Sequence, residues 1–197
     1  TSTSASSHFS ARSEVLSLLS ALCAAGGSEC SEDRPLSTDN APPKDAEAML
    51  ARLTKVLDKY QEQPVLLAAS LEELLNVLLG GIREIVHSLS NAEDLPESSL
   101  VSLGRLCRAV YLFCKTRGRK HVKKFFPHAA SDLEPCAQLL IKLDDSFQSY
   151  SLWQIRYALL LWLSVLVLVP FDLHSMDSSE DQSLVSGLIQ CCKDRLR

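Results

Sequence analysis

The sequence predicts an all-α protein, and three observations carry that prediction. Apolar residues recur at helical spacing in successive windows, while no stretch shows sustained period-two alternation or an Asn-Gly or Asp-Gly hairpin turn. Only seven glycines and few aromatics accompany abundant Leu and Ala among the 197 residues. One stretch, Ser151–Asp172, holds a chargeless apolar run from Tyr157 to Phe171, bracketed by Arg156 and Asp172. A helix apolar on all sides must be buried, so this run is expected to form the central helix of the core. As a helix it would extend about 22 Å, short of the ~30 Å hydrocarbon core of a bilayer. A buried core helix is therefore preferred to a membrane span.

The elements follow in order. Thr1–Ser10 is rich in Ser and Thr. Ser13–Ala24 suits a helix with Val15, Leu18, Leu19 and Leu22 on one face, ended by Gly26-Gly27. Ser28–Lys44 mixes Ser, Asp, Glu and Pro without periodicity and reads as a mobile linker. Residues 1–44 are thus expected as an N-terminal segment with one short helix. Residues 45–197 form the organised body, with Asp45 a candidate N-cap.

Ala46–Gln61 carries Met49, Leu50, Leu53, Val56, Leu57 and Tyr60 as a helical stripe. Pro64 forces a turn at Gln63. Val65–Leu89 follows as a helix with a ridge of Leu71, Leu74, Leu75, Leu78 and Leu79. Gly80-Gly81 lies inside it, where each Gly costs ~1 kcal/mol against Ala; a kink and close helix packing both account for the pair. Pro96 suits the first turn of the next helix, which runs to about Arg117 with Leu100, Leu103, Cys107, Val110 and Cys114 inward. Gly118 is a natural C-cap.

Arg119–His128 reads as a short connector. Ser131 and Glu134 have capping-box spacing before a helix over Pro135–Leu143, as do Ser151 and Gln154 before the central helix. Pro170 is expected to stop the latter at Val169. A last helix carries Leu184, Leu188, Ile189, Cys192 and Leu196. Seven helices with mostly short connectors suggest successive antiparallel pairs, the unit of an α-solenoid. A compact helical bundle is the alternative on periodicity alone.

Chemistry-bearing motifs are scarce. The net charge of −4 argues against wholesale nucleic-acid binding. Seven cysteines suit neither a disulfide framework nor zinc, and reduced thiols are expected. None of the five histidines has metal-ligand spacing, and His87 reads as a surface residue favoured by its helix dipole. Phosphate-loop, dinucleotide and nucleophile-elbow motifs are missing. The adjacent carboxylates Glu72-Glu73 and Asp144-Asp145 point about 100° apart on a helix and make poor acid/base couples. No catalytic residue, metal or cofactor is expected, and no enzymatic activity. The one surface feature with an edge is a basic run of Lys115, Arg117, Arg119, Lys120, Lys123 and Lys124, followed by Phe125-Phe126. It reads either as helix-end charge on a solvated turn or as a dock for an acidic partner or phosphates.

Four blocks together resemble the tubulin-folding cofactor D family. They are DKYQEQP at Asp58–Pro64, KTRGRK at Lys115–Lys120, FFPHAASDLEP at Phe125–Pro135 and WQIRYALLLWLSVLVLVPFD at Trp153–Asp172. The last is the most specific, and the similarity runs from about Ala46 to Asp172. Arg119 departs from the family pattern, which has an aromatic between the glycine and the lysine.

The resemblance implies a HEAT/armadillo-type solenoid of which this chain is an amino-terminal part. It implies a cytoplasmic chaperone of the microtubule cytoskeleton that captures β-tubulin. Such proteins work with cofactors C and E and a small Arf-like GTPase on the αβ heterodimer, and stimulate GTP hydrolysis. The competing reading is a generic helical-repeat adaptor or transport scaffold with another client.

Overall fold

The computed structural model describes residues 9–26, 46–146 and 152–169, and residues 186, 187, 189, 190 and 193. Seven α-helices fall in the first three stretches: α1 (Arg12–Gly26), α2 (Ala46–Asp58), α3 (Leu71–Ser90), α4 (Glu97–Arg117), α5 (Arg119–Val122), α6 (Leu133–Ser146) and α7 (Trp153–Leu166). Short 3-10 turns occupy Pro64–Leu67, Lys123–Phe125 and Ala130–Asp132. The expected linker Ser28–Lys44, the caps Asp45 and Ser151, and Cys191 and Cys192 lie outside the described residues.

Side-chain contacts establish the topology. Phe9, just before α1, packs edge-on to Tyr60, just after α2, with ring centroids 4.8 Å apart, so these helices run antiparallel. Arg156 at the start of α7 donates to the Leu143 carbonyl near the end of α6, 3.0 Å away, closing a second antiparallel pair. Between them stand α3 and α4, joined through Asn91–Pro96. Consecutive pairs then stack in register. Helices α1, α3 and α6 form one layer, and α2, α4 and α7 form the other. Within layers the helices are parallel: Glu47 at the start of α2 meets Arg108 midway along α4 (3.1 Å), and Asp58 at the end of α2 meets Lys115 near the end of α4 (3.4 Å). This is a two-layer stack of antiparallel helix pairs, the solenoid arrangement rather than the compact bundle.

The central helix is α4, not the apolar run expected to fill that place. It packs against α3 in its own pair, against α1 and α2 on one flank and α7 on the other. Leu103, Cys107, Ala109, Val110 and Phe113 are wholly buried along it. Helix α7 buries Ile155, Ala158, Leu159, Trp162, Leu163 and Leu166 against α4 and α6, but Ser164 is exposed. Beyond its end, Val167 and Leu168 are also exposed. Among the described residues, its apolar run is therefore only partly covered. The helix also ends at Leu166, three residues before the limit set by Pro170.

Helix ends follow local chemistry. The chain between Pro64 and Ser70 winds as a 3-10 turn, with Ala68 and Ser70 donating to Val65 and Leu67 carbonyls, so α3 starts at Leu71 rather than Val65. Glu72 and Glu73 then sit at the positive end of the helix dipole. At the far end, Lys142 of α6 donates to the carbonyls of Ser90 and Ala92, both at 2.8 Å, satisfying groups that α3 leaves unpaired. Gly118 caps α4 as expected, its N–H 2.9 Å from the Cys114 carbonyl at φ +92°, a conformation that favours glycine.

The connector after α4 is more ordered than its charge suggests. Val122 and Phe126 point into the core at 0% and 2% exposure, while Lys120 and Lys124 point out. The Trp162 indole N–H donates to the Pro127 carbonyl at 2.9 Å, and the Phe126 ring lies 6.2 Å from the Trp162 ring. One buried tryptophan thereby pins the connector to α7. Trp162→Asp should lower unfolding stability by more than about 4 kcal/mol, because an unpaired charge would enter a dry core. Trp162→Phe, which loses the N–H and leaves a small cavity, should cost less, about 2–3 kcal/mol. Equal thermal unfolding of wild type and the Asp variant would reject this burial argument.

The glycine pair in α3 resolves to close packing on one side only. A Cβ on Gly81 would sit 2.8 Å from the Cys23 sulfur of α1, whereas one on Gly80 would meet nothing within 4 Å. Helix α3 runs unbroken through both. Gly80→Ala should therefore stabilise by about 0.5–1 kcal/mol through helix propensity alone. Gly81→Ala should fall short of that gain, and Cys23→Ala should restore it. Denaturant unfolding of the two single variants and the double variant checks the difference.

Candidate functional site

The residues of the basic run differ in exposure and in partners. Lys115 lies on the outward side of α4, paired with Asp58. Arg117 is half-buried, with its Nε lacking a partner among the described residues. Arg119 opens α5 and is exposed; its cation acts on the phenol of Tyr157 in α7. Lys120 and Lys124 are exposed on the connector, and Lys123 is half-buried beside them. Phe125 packs against the core, and Phe126 is buried in it. The inward phenylalanines are thus the reason the connector's lysines face solvent.

Helical spacing adds cations that the run does not include. Arg105, Arg108 and Lys115 share one stripe of α4 with Tyr111. Glu47 of α2 lies 3.8 Å from Arg105 and 3.1 Å from Arg108. The Tyr111 ring stands edge-on to Trp153 at 4.9 Å and to Tyr157 at 5.7 Å. All three rings are half-buried between α4 and α7. Burial, then the bond to the Cys114 thiol, pushes the Tyr157 phenol up to about 12. Arg105 and Arg108 were legible from their spacing to Lys115. The aromatic trio was not, because it joins helices far apart in the chain.

A second cluster is internal. Asp132 is fully buried, and its Oδ1 accepts from Arg83 Nε at 2.7 Å. His87 Nε2 lies 2.8 Å from the same oxygen, so the ring donates through that nitrogen to the carboxylate. Arg83 and His87 are one turn apart on α3, and Asp132 ends the 3-10 turn that leads into α6. His87 is therefore not the free surface residue that its place near a helix end suggested. Asp132 Oδ2 has no protein partner among the described residues.

The thiols among the described residues show no sign of activation. Burial raises the pKa of Cys23, Cys107, Cys114 and Cys136, which keeps them protonated near neutrality. Among the described residues, no group of three or more His, Cys, Asp or Glu side chains is placed to hold a metal ion. Nor is any helix of the described residues long and apolar enough to cross a membrane.

Parallel layers of antiparallel pairs, with charge and aromatics on their helix faces, define an ARM/HEAT-type solenoid, a class that binds partners along extended surfaces. The family model described as "Tubulin-specific chaperone D-like, ARM repeat" matches residues 57–197, and the chain belongs to that family. It is 30% identical over 127 residues to the Tubulin-folding cofactor D of Schizosaccharomyces pombe, covering 64% of this chain and 10% of that protein. It is 24% identical over 198 residues to the Tubulin-specific chaperone D of Dictyostelium discoideum, covering 65% of this chain and 13% of that protein. The chain thus spans roughly a tenth of the length of these relatives. No solved structure matches significantly.

The internal cluster makes its own prediction. Asp132→Ala should lower stability by about 2–3 kcal/mol, less than a fully buried pair would lose, because Arg83 and His87 are partly exposed and can rehydrate. Asp132→Asn should lose less, since it keeps an acceptor for Arg83. Urea unfolding of the two variants tests this order; a neutral Asp132→Ala would mean that the cluster does not hold α6 to α3.

Proposed function

We propose that this chain belongs to a tubulin-folding cofactor, a non-enzymatic chaperone scaffold that captures β-tubulin. In this reading it acts with companion cofactors C and E and a small Arf-like GTPase to assemble or disassemble the αβ heterodimer, and stimulates GTP hydrolysis. Its place is the cytoplasm and the microtubule cytoskeleton. The observation that carries the reading is membership of the chaperone D-like family over residues 57–197. The names of the fission-yeast and slime-mould relatives support it. A solenoid suits the role physically, because it buries helix faces against its neighbours and leaves a long surface for a protein client.

The contact proposed for tubulin is the outward part of the basic run on the connector. Lys120 and Lys124 are exposed there and form no ion pair among the described residues. β-Tubulin is acidic, so electrostatic steering favours this encounter. Lys120→Glu combined with Lys124→Glu should weaken β-tubulin capture about tenfold at low salt. The effect should shrink at physiological ionic strength, where exposed charges are screened over ~8 Å. A binding titration at two salt concentrations, with circular dichroism to confirm folding, measures it. Equal affinity of the folded variant and wild type at both salts would remove these lysines from the interface.

A further inference from the structure

Two of the contacts between neighbouring helices within a layer are made at a glycine. In one layer, a Cβ on Gly81 of α3 would lie 2.8 Å from the Cys23 sulfur of α1. In the other, a Cβ on Gly104 of α4 would lie 3.8 Å from the Ile155 Cδ1 of α7. A third contact of this kind reaches past the seven helices: a Cβ on Gly187 would lie 2.9 Å from the Ile141 Cδ1 of α6. A bare glycine leaves room there for the side chain of its neighbour.

Residues 186, 187, 189, 190 and 193 are helical. Ser186, Ile189, Gln190 and Lys193 are exposed, and their i, i+3, i+4, i+7 spacing makes them one outward stripe. Gly187 is half-buried and lies off that stripe, on the side from which Ile141 approaches. On α6, the stripe of Glu134, Gln138 and Ile141 is half-buried in turn. The far edge of the same layer differs. There α1 exposes Ser13, Ser17 and Ser20 at helical spacing, a polar edge.

We propose that residues 184–193 form the next helix of the α1–α3–α6 layer, with α6 as its seat. A helix whose outward stripe is Ser186, Ile189, Gln190 and Lys193 turns positions 184, 187, 188 and 191 the other way. Those positions hold Leu184, Gly187, Leu188 and Cys191, three apolar side chains around one gap. Ile141 enters the gap at Gly187, and Leu184 and Leu188 cover the α6 flank beside it. The occupant of this flank is thus the chain's own C-terminal segment, and the layer gains a fourth helix on its α6 side. The proposal concerns the chain's own packing and does not rest on tubulin capture.

The test is hydrogen–deuterium exchange of the intact chain, read by mass spectrometry over residues 184–193 and over α3, α4 and α6. In wild type, the amides of 184–193 should exchange at least about tenfold more slowly than in a free peptide of the same sequence. Gly187→Leu drives a side chain into Ile141 and should speed that exchange about tenfold, despite leucine's better helix propensity. Protection of α3 and α4 should be unchanged. Ile141→Ala, on a different helix, should also speed exchange over 184–193. The double variant swaps knob and hole between the two helices and should recover most of the wild-type protection, which general unfolding would not do. Unprotected 184–193 in wild type overturns the proposal, as does unchanged exchange there in both single variants. Protection that disappears on dilution overturns it too, because a second copy of the chain would then supply the contact.

Discussion

Burial of α4 is the constraint on which the remaining structure depends. A helix hairpin covers one side of each helix and leaves the flanks to be filled by neighbouring pairs. In α4 those flanks are largely apolar: Leu103 and Val110 are fully buried, and Gly104 brings the α7 side chain of Ile155 within 3.8 Å of where a Cβ would sit. Each buried Leu or Phe contributes about 1.5–3 kcal/mol, whereas an exposed ion pair contributes about 0.2–1 kcal/mol. Stacking is therefore held by apolar burial. The Glu47–Arg108 and Asp58–Lys115 pairs mark the alignment of α2 on α4 but do not decide it.

Between α3 and α6 the balance is different, because polar groups there are buried. Asp132 has lost all contact with solvent and depends on Arg83 and His87 for compensation. Farther along, Lys142 gives its ammonium to the end of α3. These bonds have directional requirements that leucine packing lacks, so they specify how α6 lies on α3. Trp162 does the same for the connector through the Pro127 carbonyl. Apolar contacts supply most of the stability, and a few directed bonds select one arrangement.

Periodicity made most of this legible. The stripes over Met49–Leu57, Leu71–Leu79 and Leu100–Cys114 all face the core, because i, i+3 and i+4 spacing reports a single buried face whatever its partner is. Hydrophobicity alone did not reveal rank within the core. The run after Arg156 is richer in apolar residues than α4, yet it is α4 that packs between α2 and α7 in their layer. Arg105, Arg108 and Lys115 on α4 are compatible with a central place because their charged ends reach solvent past the apolar flanks. The Asp132 cluster and the aromatic trio were hidden for another reason. Both join residues separated by tens of positions, and no local pattern encodes which helices become neighbours.

Charge density along a chain is likewise not charge density on a surface. The six cations between Lys115 and Lys124 are divided by Gly118, whose φ of +92° ends α4 and redirects the chain. Lys115 stays on the α4 face, tied to Asp58, and Arg119 acts on Tyr157 across the helix end. Past that point the inward anchors are Val122 and Phe126, and the outward positions of the same turns fall to Lys120 and Lys124. Lys115 is thus partly neutralised by α2, whereas Lys120 and Lys124 form no ion pair among the described residues. Exposed cations of that kind act through charge alone, and salt screens them over ~8 Å at physiological ionic strength.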